Sequence, residues 1–213
     1  MSAAKTVPPP EPMTPEQFRE ESGVSRETVE RLQRYAEALE RWQRRINLVS
    51  RATLPDLWRR HMLDSAQLLP LLPAGATRLI DLGSGAGFPG LVLAIVGVPE
   101  VHLVESDARK CAFLREAARL AGTENVTVHN RRVEEMPPEP FDVVTARALA
   151  QLPELLPLAG RFAGPHTVFL FPKGRGIAEE LIRTPETARM RPELIPSRTE
   201  PGAAILKLEP GRA

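Results

Sequence analysis

Residues 78–90 read Arg78-Leu79-Ile80-Asp81-Leu82-Gly83-Ser84-Gly85-Ala86-Gly87-Phe88-Pro89-Gly90. A short apolar run leads into four glycines within eight positions, and a second apolar run follows. The pattern predicts a strand, a sharp loop and a helix. Glycine lets backbone N–H groups approach a ligand closely, and the helix N-terminus adds unpaired N–H groups. A tight turn alone explains one or two of these glycines, so the loop is predicted to bind a nucleotide-like cofactor.

Two classes of cofactor fit this loop. Gly85-x-Gly87-x-x-Gly90 matches the dinucleotide fingerprint, which is a weak signal on its own. The glycines also read Gly83-x-Gly85-x-Gly87, with Asp81 two residues before the first of them. This second pattern is similar to motif I of the S-adenosylmethionine-dependent methyltransferases. Asp81, Gly83, Gly85 and Gly87 are therefore candidate cofactor-binding residues.

Composition excludes several classes of protein. The 213 residues are 42% hydrophobic and 26% charged, and no apolar run approaches the ~20 residues of a membrane span. The single cysteine, Cys111, cannot form an internal disulfide, and no Cys/His cluster has zinc spacing. A cytoplasmic protein without metal or membrane contact is expected. A net charge of only +1 argues against non-specific nucleic-acid binding, so an RNA partner would need a local basic patch.

Three regions are predicted along the chain. Residues 1–13 are interpreted as a disordered tail, residues 14–73 as a helical extension and residues 74–213 as the cofactor-binding domain. In the extension, Thr14 and Ser25 are predicted to begin two helices, the second with an apolar stripe. The leucines of residues 54–72 indicate one or two further helices. Arginines and glutamates off the stripe are interpreted as a solvated face in preference to an RNA patch.

From residue 78 onward, apolar strands alternate with helices, which predicts a parallel sheet covered on both faces. The predicted strands are 78–82, 101–105, 126–129, 141–145 and 167–171, and the predicted helices are 89–96, 108–121, 152–162 and 177–183. Two short closing strands, near 194–195 and 203–208, are what methyltransferases add to such a core, whereas a dinucleotide fold adds another βαβ unit. We therefore predict an α/β, Rossmann-like class I methyltransferase fold. Its seven-stranded, mostly parallel sheet would have a C-terminal antiparallel strand and an N-terminal helical extension.

Candidate ligand contacts follow the second and third strands. Glu105 ends strand two, where a carboxylate can accept both hydroxyls of a ribose or can simply be an exposed charge. Val133 and Glu134 follow strand three and could contact an adenine through an apolar side chain and a backbone N–H. A surface turn would have the same sequence.

Arg132, Arg147 and Lys173 are predicted to flank the cleft, because open α/β sheets bind ligands beyond the carboxyl ends of their strands. Three cations there would repel one another unless an anion lies among them, such as an RNA phosphate or the carboxylate of the cofactor. The alternative is ordinary salt bridges to the nearby carboxylates Glu134, Glu135 or Asp142.

Further basic candidates lie in the extension. Arg51, Arg59 and Arg60 have too few acidic neighbours in the sequence to balance their charges, which makes them candidate RNA contacts. His61 is a fourth candidate, although a structural histidine held by Asp64 three residues later is the commoner case.

The absence of two motifs reduces the number of acceptor atoms that this chain could methylate. Methylation of the exocyclic amine of adenine commonly uses an Asn/Asp-Pro-Pro-aromatic run after strand four, where this chain has Ala146-Arg147-Ala148. Methylation of a pyrimidine C5 needs a cysteine nucleophile, and Cys111 falls inside a predicted helix. An intrinsically nucleophilic acceptor such as a purine ring nitrogen fits what remains. Guanine N7 is one such atom, because its free lone pair needs no general base and catalysis would consist of in-line positioning.

Five motifs together resemble one protein family. In order they are Asn47-Leu48, Arg60-His61-x-x-Asp64-Ser65, the stretch 81–90, Arg132-Val133-Glu134-Glu135 and Ala146-Arg147-Ala148. Their order and spacing over about residues 26–175 resemble the ribosomal RNA small subunit methyltransferase G family, also called glucose-inhibited division protein B.

The resemblance implies transfer of a methyl group from S-adenosylmethionine to N7 of one guanine in 16S ribosomal RNA of the 30S subunit (guanine 527 in the family). It implies that Gly83, Phe88, Val133, Glu134 and Arg147 contact the cofactor, with Glu105 as the ribose acceptor. The catalytic, substrate-facing roles of Arg132, Arg147 and Lys173 are our interpretation. A monomer is expected. A small-molecule methyltransferase and a non-catalytic ribosome assembly factor remain alternatives.

Overall fold

A seven-stranded sheet carries the fold in the computed structural model, which describes residues 11–210. Its strands are β1 (Arg78–Leu82), β2 (Glu100–Glu105), β3 (Val126–Asn130), β4 (Val143–Ala146), β5 (Val168–Lys173), β6 (Met190–Pro196) and β7 (Ala204–Pro210). They lie in the order β3-β2-β1-β4-β5-β7-β6. The first five pair in parallel, and β7 pairs antiparallel with both β5 and β6. The predicted fold class is confirmed.

Helices cover both faces of the sheet. They are α1 (Pro15–Ser22), α2 (Arg26–Gln43), α3 (Asp64–Ala66), α4 (Gly90–Val96), α5 (Ala108–Leu120), α6 (Leu152–Gly160) and α7 (Ile177–Ile182). One buried cluster joins the sheet to α2, α4 and α5, and a second joins it to α6 and α7. Within residues 11–210, no helix combines the length and the apolar character needed to cross a bilayer.

Most predicted boundaries of the strands and of the helices α1, α4, α5, α6 and α7 agree with the structure to within two residues. The main exception among the strands is β6, which begins at Met190 although residues 190–193 carry no apolar alternation. Pro192 is tolerated there because β6 lies at the edge of the sheet and pairs only with β7.

The segment 54–71 is not made of one or two regular helices, as the leucines indicated. It contains 3-10 turns at Leu54–Asp56 and Leu69–Leu71, a π-helical stretch at Trp58–Leu63 and then α3. Pro55 and Pro70 lie in the two 3-10 turns, where they lack the N–H that a continuous helix would use. The wide π-helical turn buries His61, Met62 and Leu63.

The predicted tail falls mostly on residues 1–10, which lie outside the described residues, but its last part is wrong. Met13 is buried, and its backbone N–H donates to Oδ1 of Asp56 at 2.8 Å. The carbonyl of Glu11 accepts a hydrogen bond from Arg59. Residues 11–13 therefore belong to the folded extension.

Arg31 forms hydrogen bonds between the helical extension and the sheet domain. Its guanidinium donates to the carbonyls of Ile95, Ala121 and Gly122, at the C-terminal ends of α4 and α5. A cation at a helix C-terminus also interacts favourably with the helix dipole. This arginine of α2 is therefore not part of a solvated face, as the sequence pattern suggested.

Arg31→Ala is expected to lower the free energy of unfolding by about 2 kcal/mol, because hydrogen bonds from a charged donor contribute about 1.5–3 kcal/mol. Urea denaturation measures the change. Arg34→Ala is the control, since Arg34 is exposed on the same helix and should change stability by less than about 0.5 kcal/mol. Equal effects of the two substitutions would contradict the assignment.

Candidate active site

The glycine loop after β1 has a backbone that only glycine adopts readily. Gly83, Gly85 and Gly87 have φ values of +66°, +54° and +94°. The loop is tied to β2, because Ser84 N–H donates to the carbonyl of Val104 and Gly85 N–H donates to Oε2 of Glu105 at 2.9 Å. The predicted strand, loop and helix are confirmed, and the loop forms one wall of a cavity.

Asp81 and Gly87 support the loop from behind and do not line the cavity. Asp81 is fully buried and accepts hydrogen bonds from Thr145 Oγ1 and from Gly90 N–H. Burial raises the pKa of its carboxyl to about 6 in spite of these bonds. A Cβ on Gly87 would lie 2.9 Å from Leu91 Cβ, so this glycine is packed inside the protein. The structure therefore places these two candidate cofactor contacts behind the loop and outside the cavity lining.

Tyr35 is a supporting residue that the sequence reasoning missed. This buried side chain of α2 donates its hydroxyl to the carbonyl of Ala86 in the glycine loop. Burial raises the pKa of the hydroxyl well above its usual value, so it remains a donor. Its place between Leu32 and Leu39 on the apolar stripe is the signal that could have indicated its burial.

The first cavity, of about 430 Å³, lies beyond the carboxyl ends of β1, β2 and β4. Its lining contains the predicted residues Gly83, Gly85, Phe88, Glu105, Arg132, Val133, Glu134 and Arg147. Glu105 is only 8% exposed, and its Oε1 accepts a hydrogen bond from Asp107 N–H at 2.8 Å. Leu48, Val49, Lys110 and Leu149 also line the cavity and were not predicted.

A second cavity, of about 530 Å³, adjoins the first. Its lining includes Arg60, His61, Asp64, Lys173 and Glu180. Both cavities share Leu48, Val49, Arg147 and Ala148. Arg147 therefore stands between two compartments, of which the first contains the glycine loop.

Hydrogen bonds to residues of the helical extension hold the guanidinium of Arg147 in place. Its Nη1 donates to Oδ2 of Asp64 at 3.1 Å and to the carbonyl of Arg60, and its Nη2 donates to Nδ1 of His61 at 2.7 Å. The guanidinium also lies 5.0 Å from the ring centre of Phe88. Asp64 is held in turn by Thr199, whose hydroxyl donates to Oδ1 at 2.6 Å.

These contacts determine the tautomer of His61. Arginine can only donate hydrogen bonds, so Nδ1 of His61 accepts the bond from Arg147. The proton of the neutral imidazole therefore lies on Nε2, which is 2.8 Å from the hydroxyl oxygen of Thr53. Burial, with Arg147 and Arg60 nearby, lowers the pKa of His61 to about 3. The imidazole is therefore neutral with both nitrogens engaged, and Asp64 holds Arg147 where the sequence had suggested that it holds His61.

The cations of the second cavity form salt bridges with carboxylates that the sequence did not indicate as their partners. Lys173 Nζ lies 2.9 Å from Glu180, and Arg60 lies 2.6 Å from Glu200 in the turn between β6 and β7. Of the two alternatives that the sequence left open, a bound anion or ordinary salt bridges, the structure has salt bridges for Arg147 and Lys173. The carboxylates suggested by proximity are not the partners, since Asp142 accepts from the backbone at Thr77 and Arg78.

The predicted RNA contacts separate into two groups. Arg60 and His61 line the second cavity, whereas Arg51 and Arg59 line neither cavity. Arg59 forms a salt bridge with Asp56 at 3.0 Å, one helical turn earlier. The inference that Arg59 and Arg60 lack acidic partners is therefore wrong. Asp56, one turn earlier, is the partner of Arg59, and Glu200, far away in sequence, is the partner of Arg60.

Comparison with known proteins decides the family. The profile of the family described as rRNA small subunit methyltransferase G matches residues 28–199. The chain belongs to this family. The ribosomal RNA small subunit methyltransferase G of Rhodospirillum centenum is 58% identical over 191 residues, covering 90% of this chain and 88% of that protein. The protein of the same description from Paramagnetospirillum magneticum is 57% identical, covering 92% and 95%.

Solved structures agree with this assignment at the level of the fold. A putative O-methyltransferase from Klebsiella pneumoniae has a TM-score of 0.60 at 18% identity, covering 86% of this chain and 90% of that chain. A SAM dependent methyltransferase from Aquifex aeolicus has a TM-score of 0.57 at 15% identity, covering 73% and 93%. With the family match, the chain is an S-adenosylmethionine-dependent rRNA methyltransferase.

The first cavity fits this cofactor. Its volume lies within the ~300–1,000 Å³ range of small-molecule sites. Around Gly85, the nearest other atom to an added Cβ is 3.8 Å away, so the loop backbone faces open space. Glu105 provides a buried carboxylate at the end of β2. Within residues 11–210, no cluster of three or more His, Cys, Asp or Glu side chains is arranged to hold a metal ion.

The histidine network has a testable pH signature. A pKa lowered from 6.5 to about 3 means that the unfolded chain binds more protons than the folded chain between these values. Stability from neutral His61 is therefore present above pH 6.5 and is lost as the pH falls toward 3. His61→Asn keeps an acceptor for Arg147 but cannot titrate.

The stability advantage of the parent over His61→Asn is expected to shrink by about 1.4 kcal/mol per pH unit below pH ~6. Urea denaturation at pH 7.5, 5.5 and 4.5 measures it. Taking the difference between the two proteins cancels the opposite titration of Asp81, which is common to both. A difference that stays constant with pH would show that His61 is not held neutral.

Proposed function

We propose that the chain methylates N7 of a guanine in 16S ribosomal RNA of the small subunit, guanine 527 in the family, without a general base. The observation that carries this proposal is the pair of adjoining cavities with Arg147 between them. One cavity suits the cofactor, and the other is large enough for a base turned out of its stack. His61 borders the second cavity but has both ring nitrogens engaged, so it is not available as a base.

The proposed transfer is balanced without a proton acceptor. S-adenosylmethionine supplies a methyl group on a positively charged sulfur. The N7 lone pair forms the new bond, the bond between sulfur and methyl carbon breaks, and the positive charge passes to the guanine ring. A guanine N7 carries no proton, so none has to be removed before attack.

Paired charges in the second cavity suit this movement of charge. Asp64, Glu180 and Glu200 line it together with their cationic partners. We infer that these carboxylates offset part of the charge that develops on the base, because fixed charges that are already in place stabilise charge that develops during a reaction. Arg147 and Lys173 would donate to the guanine O6 and leave the N7 lone pair free.

The remaining predicted residues keep their proposed roles. Glu105 would accept the ribose hydroxyls, and Val133 with the backbone of Glu134 would contact the adenine. Gly83, Gly85 and Phe88 line the cofactor cavity and would contact the rest of the molecule. Arg132 is exposed and lines that cavity but not the cavity that contains Lys173, and we propose that it faces the RNA.

Radiolabelled S-adenosylmethionine and unmodified 30S particles test the proposal. The expected result is label in the RNA that is recovered as 7-methylguanosine after digestion to nucleosides, at one position. Label in a different nucleoside would refute the N7 assignment. Label that appears only in small metabolites would select the small-molecule alternative, and particle binding without any label would select the assembly factor.

A further inference from the structure

A third concavity lies next to the second cavity and contains a group of arginines. Its lining consists of residues 43–47, Ser50 and Arg51, and we name it the arginine concavity. Arg44, Arg45 and Arg51 are its charged members, and all three are exposed. Ser50 lines both this concavity and the second cavity. The arginine concavity therefore opens beside the proposed base site.

The loop that forms this concavity is built and held by one side chain. Oε1 of Gln43 accepts hydrogen bonds from the backbone N–H groups of Leu48 and Val49, at 2.9 and 3.0 Å. Nε2 of Gln43 donates to the carbonyl of Val49 at 2.8 Å. Val49 is buried and lines both cavities. The same short loop thus presents arginines on one side and forms part of the cavity walls on the other.

In the part of the chain that the structure describes, the arginines of this concavity have no acidic partners, unlike several other arginines of the extension. Elsewhere in the extension, Arg26, Arg41, Arg59 and Arg60 each form a salt bridge with a glutamate or aspartate. Among the described residues, no salt bridge involves any of the three arginines of the concavity, and no acidic side chain lines it. Three cations that share one acid-free surface raise the local affinity for anions.

We propose that the arginine concavity binds phosphates of the RNA strand next to the nucleotide held in the second cavity. The guanidinium group matches a phosphate with two parallel hydrogen bonds, and exposed arginines retain donors for this purpose. Phosphate contacts fix the register of a strand without reading its sequence. The inference rests on the proposed function, because it takes RNA as the substrate.

Charge removal in the concavity tests this proposal. The variant is the triple substitution Arg44→Gln, Arg45→Gln and Arg51→Gln, and the control is Arg34→Gln, Arg119→Gln and Arg189→Gln. The control arginines are also exposed, form no salt bridge in the described part of the chain and line neither cavity. Both triple variants change the net charge by the same amount.

Binding of unmodified 30S particles is measured by filter retention at 50–200 mM KCl, and methyl transfer is measured in parallel. Loss of three phosphate contacts should lower the slope of log affinity against log salt by about 2, since each contact to a single strand contributes about 0.7. Affinity at 50 mM KCl should fall by about tenfold or more, because the contacts are strongest at low salt. The Kd for S-adenosylmethionine should stay within about twofold of the parent.

Two results would overturn the inference. Equal loss of affinity in both triple variants would mean that net charge alone matters, and an unchanged salt slope in the concavity variant would mean that its arginines do not touch phosphate. Failure of the proposed function has a different signature. The parent would then bind particles without methylating them, and the binding comparison would still decide the role of the concavity.

Discussion

Glu105→Gln is expected to raise the Kd for S-adenosylmethionine by about 10- to 150-fold, which corresponds to about 1.5–3 kcal/mol for lost charge-assisted hydrogen bonds. Both carboxylate oxygens are acceptors in the structure, one from Gly85 N–H and one from Asp107 N–H. An amide has only one acceptor oxygen, so either orientation turns its NH₂ group toward a backbone N–H. The glycine loop would lose its tie to β2, and the proposed ribose contact would be weakened as well.

Isothermal calorimetry with S-adenosylmethionine measures this effect. Glu134→Gln is the matched control, because it removes the same charge from the lining of the same cavity at an exposed position. If Glu134 contributes its backbone N–H alone, its substitution should change the Kd by less than about threefold. Similar losses in the two variants would indicate a general electrostatic effect and would contradict the specific role of Glu105.

Arg147→Lys is expected to reduce the rate of methyl transfer to 30S particles by about 10²–10³-fold at saturating S-adenosylmethionine, as removal of a fixed donor at a reacting centre does. The guanidinium contacts Asp64, His61 and the carbonyl of Arg60 through its two terminal nitrogens. An ammonium group cannot reach all three acceptors in that geometry. The side chain would then no longer be fixed between the two cavities.

Single-turnover methyl transfer measures the rate, and calorimetry measures cofactor affinity separately. Arg59→Lys is the control, because Arg59 lies in the π-helical stretch next to Arg60 and His61, which contact Arg147. Arg59 also pairs with an aspartate but lines neither cavity. We expect its rate to stay within about twofold of the parent. A rate for Arg147→Lys within a factor of three of the parent would exclude a positioning role for this arginine.

The sheet and the cofactor loop could be predicted from the sequence because their signals are local. Short segments rich in apolar residues mark the strands of the parallel core, and glycines at fixed positions mark a loop with positive φ at three of them. The position of Glu105 follows from the same local pattern, since it ends β2 beside the loop. The distance along the chain between these features is short, so periodicity and turn chemistry were sufficient.

The charge pairs of the site could not be predicted, because their partners come together only in the folded chain. Arg60 pairs with Glu200, which is 140 residues away, and Asp64 is bonded by Thr199 across 135 residues. Sequence proximity suggested Asp142 for a nearby cation, but that carboxylate accepts backbone N–H groups at the start of β1. Sequence proximity therefore identified the charged residues of the site but not the carboxylates with which they form salt bridges.

The position of β7 between β5 and β6 also bears on how the protein is made. During synthesis β6 leaves the ribosome before β7, and it has no hydrogen-bonded place in the sheet until β7 has been added. The turn between these strands carries Thr199 and Glu200, the partners of Asp64 and Arg60. The glycine loop and β2 are complete much earlier along the chain. The nascent protein would therefore form its cofactor cavity first and finish its second cavity only with the last strand.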